Sequence, residues 1–364
     1  KATFEPLPEL QISLDWVHNS TKNETKQYYA TNGILPRNTD STFIKYNPQM
    51  QGNYSHSFNA IRTSCQLVDK KSFRTNAFKD FLNYRKIVAW ELARERQRVL
   101  GSAYDPTNPE SGEYPYGYSG TNPDVLMNAF KAAYAGTNPK NFEKKPGNII
   151  PSLLAATPNY RIDYKGLSKL KAVNRYFKSV TLTHTYQANY TIGSFQSNPE
   201  YISTDEGYSI IMNVENTYFI PEFVTSTVSF QESFGPLAGL NLTWKNGMNT
   251  GFNFKKDRNI SLNLTNSTLT EIRNWDFSIR TGYTIKDVPL VFKTKGGGQR
   301  KFVSNVNITG DFSIRDNVTY NHQIIQDISE RIAGKINYAF KVGADYQLNK
   351  NLNVRGFYEH TIDK

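Results

Sequence analysis

The longest regular pattern in the sequence is an alternation of apolar and polar residues that runs from Val180 to Ile192. One set of alternate positions carries Val, Leu, His, Tyr, Ala, Tyr and Ile, and the other carries Thr, Gln and Asn. A period of two indicates a β-strand with one apolar face. The run is longer than the roughly 9–11 residues that a tilted strand needs to cross a bilayer. We therefore expect a strand that can span a membrane and project beyond it.

The same alternation recurs through most of the chain after Pro158. Soluble sandwiches also alternate, but their strands average about five or six residues, whereas several runs here reach about ten. We predict an all-β fold, an antiparallel transmembrane β-barrel whose apolar rows face lipid and whose polar rows face a watery lumen. The predicted lipid-facing residues are Val180, Leu182, Tyr186, Tyr190, Leu240, Leu242, Trp244, Trp275, Phe277, Ile279, Tyr283, Ile308, Phe312, Tyr338, Phe340, Val342 and Tyr346. The predicted lumen-facing residues are Thr181, Thr183, Gln187, Asn241, Arg280, Asp311, Arg315, Lys341 and Arg355.

The composition agrees with alternating strands. Hydrophobic residues make up only 38% of the chain, yet aromatic residues reach 13%. A strand that is half lipid-facing and half wet has a polar average despite its aromatic content. No apolar run approaches the roughly 18–20 residues of a transmembrane helix, which excludes a helical membrane protein.

Residues 34–158 differ in character and predict a small helical insertion. Apolar residues recur at three- and four-residue spacing over about 75–100, where Thr75 can cap the start and Gly101 can end the helix. A second helix over about 122–136 begins with Asn122-Pro123-Asp124. We divide the chain into a barrel strand and loop at 1–33, a mixed insertion at 34–158, and barrel strands at 159–364. Within these, residues 19–33 are predicted as loop, 245–248 as a tight hairpin and 293–301 as a long loop.

The sequence carries no pattern that indicates catalysis or a cofactor. The net charge is +11, but the Lys and Arg residues are scattered and form no stripe with interleaved aromatics, so we expect no nucleic-acid partner. The five histidines are dispersed, which argues against a metal site, and the single cysteine, Cys65, cannot form an internal disulfide. We expect no enzyme activity and no cofactor. The basic excess suits solvated loops, a polar lumen and contact with anionic outer-membrane lipid.

Several short segments, in order and spacing, resemble one known family. The segments are Ile162-Asp-Tyr-Lys-Gly-Leu-Ser-Lys169, Phe177-Lys-Ser-Val-Thr-Leu-Thr-His-Thr-Tyr186, Tyr190-Thr-Ile-Gly-Ser-Phe195, Asn241-Leu-Thr-Trp-Lys-Asn246 and Asp311-Phe-Ser-Ile-Arg-Asp-Asn317. From about residue 40 onward the sequence is similar to the C-terminal region of the SprA/Sov family, the outer-membrane translocons of the type IX secretion system in Bacteroidetes. The resemblance implies that the chain is part of a longer polypeptide and of a very large single-chain barrel.

The resemblance also implies a function and partners. The expected function is a protein-conducting channel that passes folded secreted proteins across the outer membrane of a Gram-negative bacterium and in some members supports gliding motility. The expected partners are the remainder of its own barrel chain, a small barrel of the PorV type, a periplasmic plug protein, folded secreted client proteins and outer-membrane lipid. Two other interpretations of the pattern stay open: a large nutrient transporter or porin, and a surface adhesin built of β-sandwiches outside the membrane.

Overall fold

The fold is dominated by one large open antiparallel sheet that carries a helical unit on one of its faces, and a second sheet has only two strands. In the computed structural model, residues 1–26, 28–30, 43–45, 49–107, 112–144, 156–215, 217–293, 299–349 and 352–364 are described. Strands hold 57% of the residues and helices 17%, in agreement with the predicted all-β class and its small helical part. Among the described residues, no helix is long and apolar enough to cross a membrane.

Fifteen strands and four α-helices make up the described part of the chain. The strands are β1 (Ala2–Leu7), β2 (Leu10–Asp15), β3 (His18–Thr25), β4 (Tyr28–Ala30), β5 (Phe43–Lys45), β6 (Gln49–Ser57), β7 (Asn159–Tyr164), β8 (Phe177–Ser197), β9 (Phe223–Thr225), β10 (Thr227–Trp244), β11 (Asn249–Asn263), β12 (Thr268–Lys293), β13 (Gln299–Gln323), β14 (Ile328–Asn349) and β15 (Leu352–Asp363). The helices are α1 (Ile61–Ser64), α2 (Asn76–Leu100), α3 (Pro123–Ala135) and α4 (Lys171–Asn174).

The main sheet has the strand order β1-β2-β7-β8-β10-β11-β12-β13-β14-β15, and every pairing along it is antiparallel. The sheet does not close on itself among the described residues. Strand β8 and strands β10 to β14 are long: the shortest of them, β11, has 15 residues, and the longest, β12, has 26 residues. An ordinary strand has about five or six residues. The alternation in the sequence predicts strands of about ten residues or more, and the strands of the structure are longer than the alternating runs.

Two short strands, β6 and β7, lie end to end beside the long strand β8, and the helical unit connects them. Strand β6 pairs with the second half of β8, Ser57 lying opposite Asn189, and β7 pairs with the first half, Tyr160 lying opposite Tyr186. Both run antiparallel to β8, so the chain leaves the sheet after Ser57 and re-enters it in line at Asn159. Strands β3 and β2 extend this arrangement by pairing with β6 and β7 respectively. Residues 58–158 are the insertion, which we call the helical insertion.

Two sequence boundaries are corrected by this arrangement. The insertion was predicted to begin at residue 34, but β6 belongs to the main sheet, so it begins at residue 58. The loop predicted at 19–33 contains β3, whose eight residues are all polar and all exposed. A strand with two wet faces shows no alternation, which is why the pattern missed it. Parts of both regions, residues 27, 31–42 and 46–48, lie outside the described residues.

The two longer helices of the insertion, α2 and α3, lie where the sequence predicts them, whereas the four-residue α1 was not predicted. Thr75 Oγ1 accepts a hydrogen bond from the N–H of Phe78 at 3.1 Å and starts α2. Asn122 Oδ1 accepts from the N–H of Asp124 at 2.8 Å and starts α3, which ends at Gly136 in the left-handed conformation. These contacts satisfy backbone groups that the first and last turns of a helix leave free.

The tight hairpin predicted at 245–248 joins β10 to β11, with Thr243 opposite Asn249 and Gly247 at a φ of +87°. The long loop predicted at 293–301 is shorter than expected because Lys293 pairs with Gln299. The glycines at 296–298 lie outside the described residues.

Candidate functional site: the two faces of the sheet

The register assigns the two predicted rows to opposite faces of one sheet. Leu182 lies opposite Leu240, Phe254 opposite Phe277, Ile279 opposite Phe312, and Phe312 opposite Phe340. Residues directly opposite in an antiparallel pair project from the same face. All residues of the predicted lipid-facing row therefore share one side, which we call the apolar face, and the predicted lumen-facing row shares the other, the polar face.

A row of alternating charges crosses the polar face of the last four strands. Arg280 lies opposite Asp311, Asp311 opposite Lys341, and Lys341 opposite Glu359. Arg280 Nε is 2.5 Å from Asp311 Oδ1, and Lys341 Nζ is 2.9 Å from Glu359 Oε2. The side chains are largely exposed, so each pair contributes only about 0.2–1 kcal/mol. Such a row keeps the surface hydrated without giving it a large net charge of one sign.

Two further ion pairs between neighbouring strands lie on either side of this row. Arg315 donates to Asp276 Oδ2 at 2.8 Å on one side, and Arg355 Nε lies 2.5 Å from Asp345 Oδ1 on the other. Between β10 and β13 the polar face forms a hollow of about 640 Å³ lined mainly by polar and charged residues.

The polar face of the long strands is uncovered. From β11 to β15, no described residue of this face is buried apart from Gly343, which has no side chain. Thr183, near the other edge of the sheet, is the exception in the predicted lumen-facing row. Its hydroxyl donates to Asp163 at 2.8 Å, and the residue is covered.

The apolar face carries an apolar band of matching length on three neighbouring strands. The band runs from Trp275 to Ile285 on β12, and its register partners are residues 306–316 on β13 and 336–346 on β14. Ten residue steps of about 3.3 Å, tilted by about 40°, span about 25 Å, which is the height of the lipid-facing band of outer-membrane barrels. Large apolar side chains in it are exposed: Phe340 to 45%, Tyr283 to 40% and Phe312 to 36%.

Aromatic residues mark both limits of the apolar band. Trp275 stands at one limit, where its indole N–H donates to Asp316 Oδ2 at 3.0 Å. Tyr346 stands at the other, where its hydroxyl donates to the carbonyl of Val288 at 2.9 Å. Trp275 is partly exposed, and an aromatic side chain with its polar atom satisfied suits the level at which an apolar layer meets water, whereas Tyr346 is buried.

On the side of Trp275 away from the apolar band, the apolar face is covered by the helical insertion. Phe130 of α3 packs on Phe230 of β10 with ring centroids 5.0 Å apart, and Phe58 packs on the same ring at 5.0 Å. Phe78 of α2 stacks on His322 of β13 at 4.0 Å. The insertion therefore lies on the apolar face, at one end of the strands, and leaves both the apolar band and the polar face of β11 to β15 open.

Four predicted lipid-facing residues are buried by protein, so their assignment is wrong. Val180, Tyr186, Tyr190 and Tyr346 are all less than 9% exposed. Tyr186 and Tyr190 lie at the covered end, where the hydroxyl of Tyr186 accepts from the N–H of Ala60 at 2.8 Å. Their period-two pattern is correct, but the pattern does not distinguish lipid from a packed helix.

Buried charges hold the start of the helical insertion against the sheet. Arg258 of β11 and Glu232 of β10 lie opposite each other, 2.9 Å apart and each 3% exposed at the side chain. Arg258 also donates to the carbonyl and the hydroxyl oxygen of Thr63, both at 3.0 Å. Tyr186 donates its hydroxyl hydrogen to Glu232 at 2.9 Å. The pair is thus shared between the sheet and the insertion.

A second contact of this kind lies on the next strand. Arg273 of β12 forms an ion pair with Glu271 at 2.6 Å and donates a hydrogen bond to the carbonyl of Gln66 at 2.6 Å. Sequence reasoning missed Glu232, Arg258, Glu271 and Arg273. The signal was present in β11 and β12, where two alternate positions of each apolar row are charged, but it becomes meaningful only once the register sets those positions side by side.

Lys131 and Asp124 are two of the titratable groups of the insertion whose pKa values are shifted by burial. Burial lowers the pKa of Lys131 to about 8, and its ammonium group lies 5.6 Å from the ring of Phe58 and 5.5 Å from that of Tyr190. Burial raises the pKa of Asp124 to about 6, and the nearby Glu222 contributes to the same shift. Neither group belongs to a cluster of three potential metal ligands, and no such cluster occurs among the described residues.

The sequence matches no protein-family model and no curated protein. The molecule is therefore characterised by its architecture alone, an open antiparallel sheet of unusually long strands with faces of opposite chemistry and a helical insertion covering one end of the apolar face.

Proposed function

We propose that this chain is a section of the wall of a protein-conducting β-barrel in the outer membrane, of the SprA/Sov type that its sequence resembles. The observation that carries the proposal is the apolar band on one face, which lies opposite an unobstructed row of charges on the other face. The band has the height of about 25 Å that the lipid-facing surface of such barrels requires. The apolar face meets lipid, and the polar face lines the lumen. No catalytic step belongs to this function, because a channel lowers a barrier by providing a hydrated path.

The open edges of the sheet support a wall section over a self-contained fold. Strands β1 and β15 end the strand order, and their residues are all exposed. A long exposed edge presents a row of unpaired backbone groups, which in lipid cost several kcal/mol each. We therefore propose that further strands of the same barrel pair with both edges.

The uncovered polar face favours passage of large cargo over small solutes. Small-solute channels narrow their lumen with an inward loop, and transporters fill it with a plug domain. The helical insertion packs on the apolar side, and from β11 to β15 no side chain of the polar face is buried among the described residues. A wide hydrated lumen lets a folded protein pass, and gating then has to come from a separate plug.

The test is co-purification of the full-length parent protein from native outer membranes in mild detergent, with the associated proteins identified by mass spectrometry. We expect a small barrel partner and a periplasmic plug protein, and folded secreted proteins trapped in the complex when the plug gene is deleted. Recovery of the barrel alone, or with an energy-coupling lipoprotein, would contradict the proposal and favour a porin or a nutrient transporter.

A second arm of the test uses the polar face itself. Replacing Arg280 and Lys341 with Glu changes the formal charge of the proposed lumen wall by −2 at each position, at one level of the charged row. In planar bilayers the plug-free channel should become more cation-selective, because fixed charges attract counter-ions. The matched control is Phe340→Leu, on the opposite face, which should leave the reversal potential unchanged. Equal reversal potentials for the charge variant and the parent would place this face outside the lumen.

A further inference from the structure

We propose that residues 65–73 form a docking surface for the phosphate-bearing headgroups of the bilayer, and we call them the rim segment. The inference rests on the proposed function in one respect, namely that the apolar band meets lipid. It adds an interaction surface on the helical insertion and assigns its partner as the membrane surface.

The rim segment crosses the apolar face just beyond the apolar band. Arg273 of β12 donates to the carbonyl of Gln66 at 2.6 Å. The ring of Phe73 lies 6.2 Å from that of Tyr320 on β13. Directly after the segment, Arg74 Nε donates to Ser329 Oγ on β14 at 2.9 Å. Three neighbouring strands therefore fix the position of the rim segment between the band and the helices.

The level of the rim segment matches a headgroup layer. Arg273 lies two residues from Trp275, the first residue of the apolar band. Two residue steps of about 3.3 Å at a tilt of about 40° rise about 5 Å above the band. The headgroup layer occupies about 5–8 Å on each side of the hydrocarbon core. A bilayer that covers the band therefore reaches the backbone of Gln66.

The side chains of the rim segment have the chemistry that such a layer selects. Leu67 is 89% exposed, and Lys70 and Lys71 are exposed beside it. The carboxylate of Asp69 is engaged inside its own turn, where it accepts from the N–H of Lys71 at 2.9 Å and from the N–H of Ser72 at 2.7 Å. The exposed groups of the segment are thus one apolar side chain, two ammonium groups and the carboxylate of Asp69, whose oxygen Oδ1 is occupied by its own turn. The apolar side chain suits the acyl boundary, and the two ammonium groups suit lipid phosphate.

Continuity with the apolar band identifies a bilayer as the occupant. An isolated exposed leucine on a soluble surface is ordinary and implies nothing. Leu67 instead follows a residue bonded to Arg273, next to a band whose own large side chains are exposed on three strands. Because the rim segment contacts β12 two residues beyond the band, a bilayer that covers the band also reaches the segment.

The experiment places a nitroxide label on Cys65, the single cysteine of the chain, which is exposed and begins the rim segment. The full-length parent protein, with no other reactive cysteine, is reconstituted in nanodiscs of lipids that include an anionic phospholipid. Depth is read from the relative accessibility of the label to oxygen and to a water-soluble nickel complex. Two reference variants carry Cys65→Ser with either Phe340→Cys, in the band, or Asn266→Cys, on the turn between β11 and β12.

We expect the label at position 65 to report the headgroup level, between a deep position 340 and a fully aqueous position 266. If the label at position 65 is as accessible to the nickel complex as the label at 266, while the label at 340 is deep in the bilayer, the proposal for the rim segment is wrong. The proposed barrel wall would still stand in that case. A label at position 340 as aqueous as at 266 would instead overturn the proposed function. The two failures are therefore distinguishable.

A pair of charge variants tests the role of the lysines. Lys70→Glu with Lys71→Glu should move the label at Cys65 toward water by at least twofold in nickel accessibility, because carboxylates are repelled by lipid phosphate. The control is Lys86→Glu, an exposed position on α2, which should leave the label unchanged. An unchanged depth in the double variant would show that the lysines do not bind the headgroups.

Discussion

The buried pair of Arg258 and Glu232 joins the sheet to the helical insertion. Replacing Arg258 with Met removes the 2.9 Å ion pair and both hydrogen bonds to Thr63. The methionine fills much of the same volume, so the loss is mainly electrostatic. Glu232 keeps the hydrogen bond from Tyr186 but is left as a buried carboxylate without its counter-charge.

The expected cost follows from that unpaired charge. Removing one partner of a buried ion pair lowers the stability of the folded state by about 3–5 kcal/mol. Because about 1.4 kcal/mol is a factor of ten in an equilibrium constant, the insertion should open at least about a hundredfold more often. The double variant Arg258→Met with Glu232→Gln removes both charges, and should lie within about 1 kcal/mol of the parent, since a matched pair contributes little net stability.

The assay is amide hydrogen exchange of the full-length protein in nanodiscs, followed on peptides that cover residues 60–66 and α3. Protection of these peptides should fall by about two orders of magnitude or more in Arg258→Met and should recover in the double variant. Peptides from β14, which lies far from the pair, serve as the internal control. A loss of less than threefold in the single variant, or no recovery in the double variant, would refute the reasoning that this pair fastens the insertion.

Two further expectations concern the insertion and its neighbours. Gly117 has a φ of +75°. A Cβ at this position would lie 2.1 Å from the ring of Phe219, so Gly117→Ala should lower the midpoint of urea unfolding of the insertion. The control is Gly101→Ala, where φ is +59° but a Cβ meets nothing within 4 Å, and an equal loss in both variants would contradict the steric argument. Asp124 has a folded pKa of about 6, above the usual value of 3.8. Its proton therefore stabilises the folded state, and this stability is lost as pH rises from about 4 to about 6. The change in unfolding midpoint between pH 4 and pH 7 should be smaller in Asp124→Asn than in the parent, and an equal change would show that Asp124 does not titrate in this way.

The local parts of the fold follow from the sequence. Several of the long strands repeat a two-residue period over about ten positions, and α2 and α3 carry their own capping residues, Thr75 and Asn122. These signals act between residues close in the chain, so a sequence read from one end to the other contains them. The assignment of the rows to opposite faces follows from the same period.

The long-range parts do not follow from the sequence. That β6 and β7 occupy one strand position depends on contacts with β8, and the whole helical insertion separates β6 from β8 along the chain. The covering of Tyr190 by Lys131 and Phe58 likewise depends on where α3 returns to the sheet. An apolar row reads the same whether a helix or a lipid chain lies against it, because both exclude water.

We propose that one sheet separates lipid from a hydrated lumen, and cysteine scanning along β14 distinguishes its two faces. Single cysteines are placed through the apolar band of the full-length protein in nanodiscs and treated with a membrane-impermeant maleimide. Labelling should alternate, weak at Tyr338, Phe340 and Val342 and strong at Ala339 and Lys341, since these lie on opposite faces. Uniform labelling along the strand, or strong labelling at the apolar positions, would contradict the account.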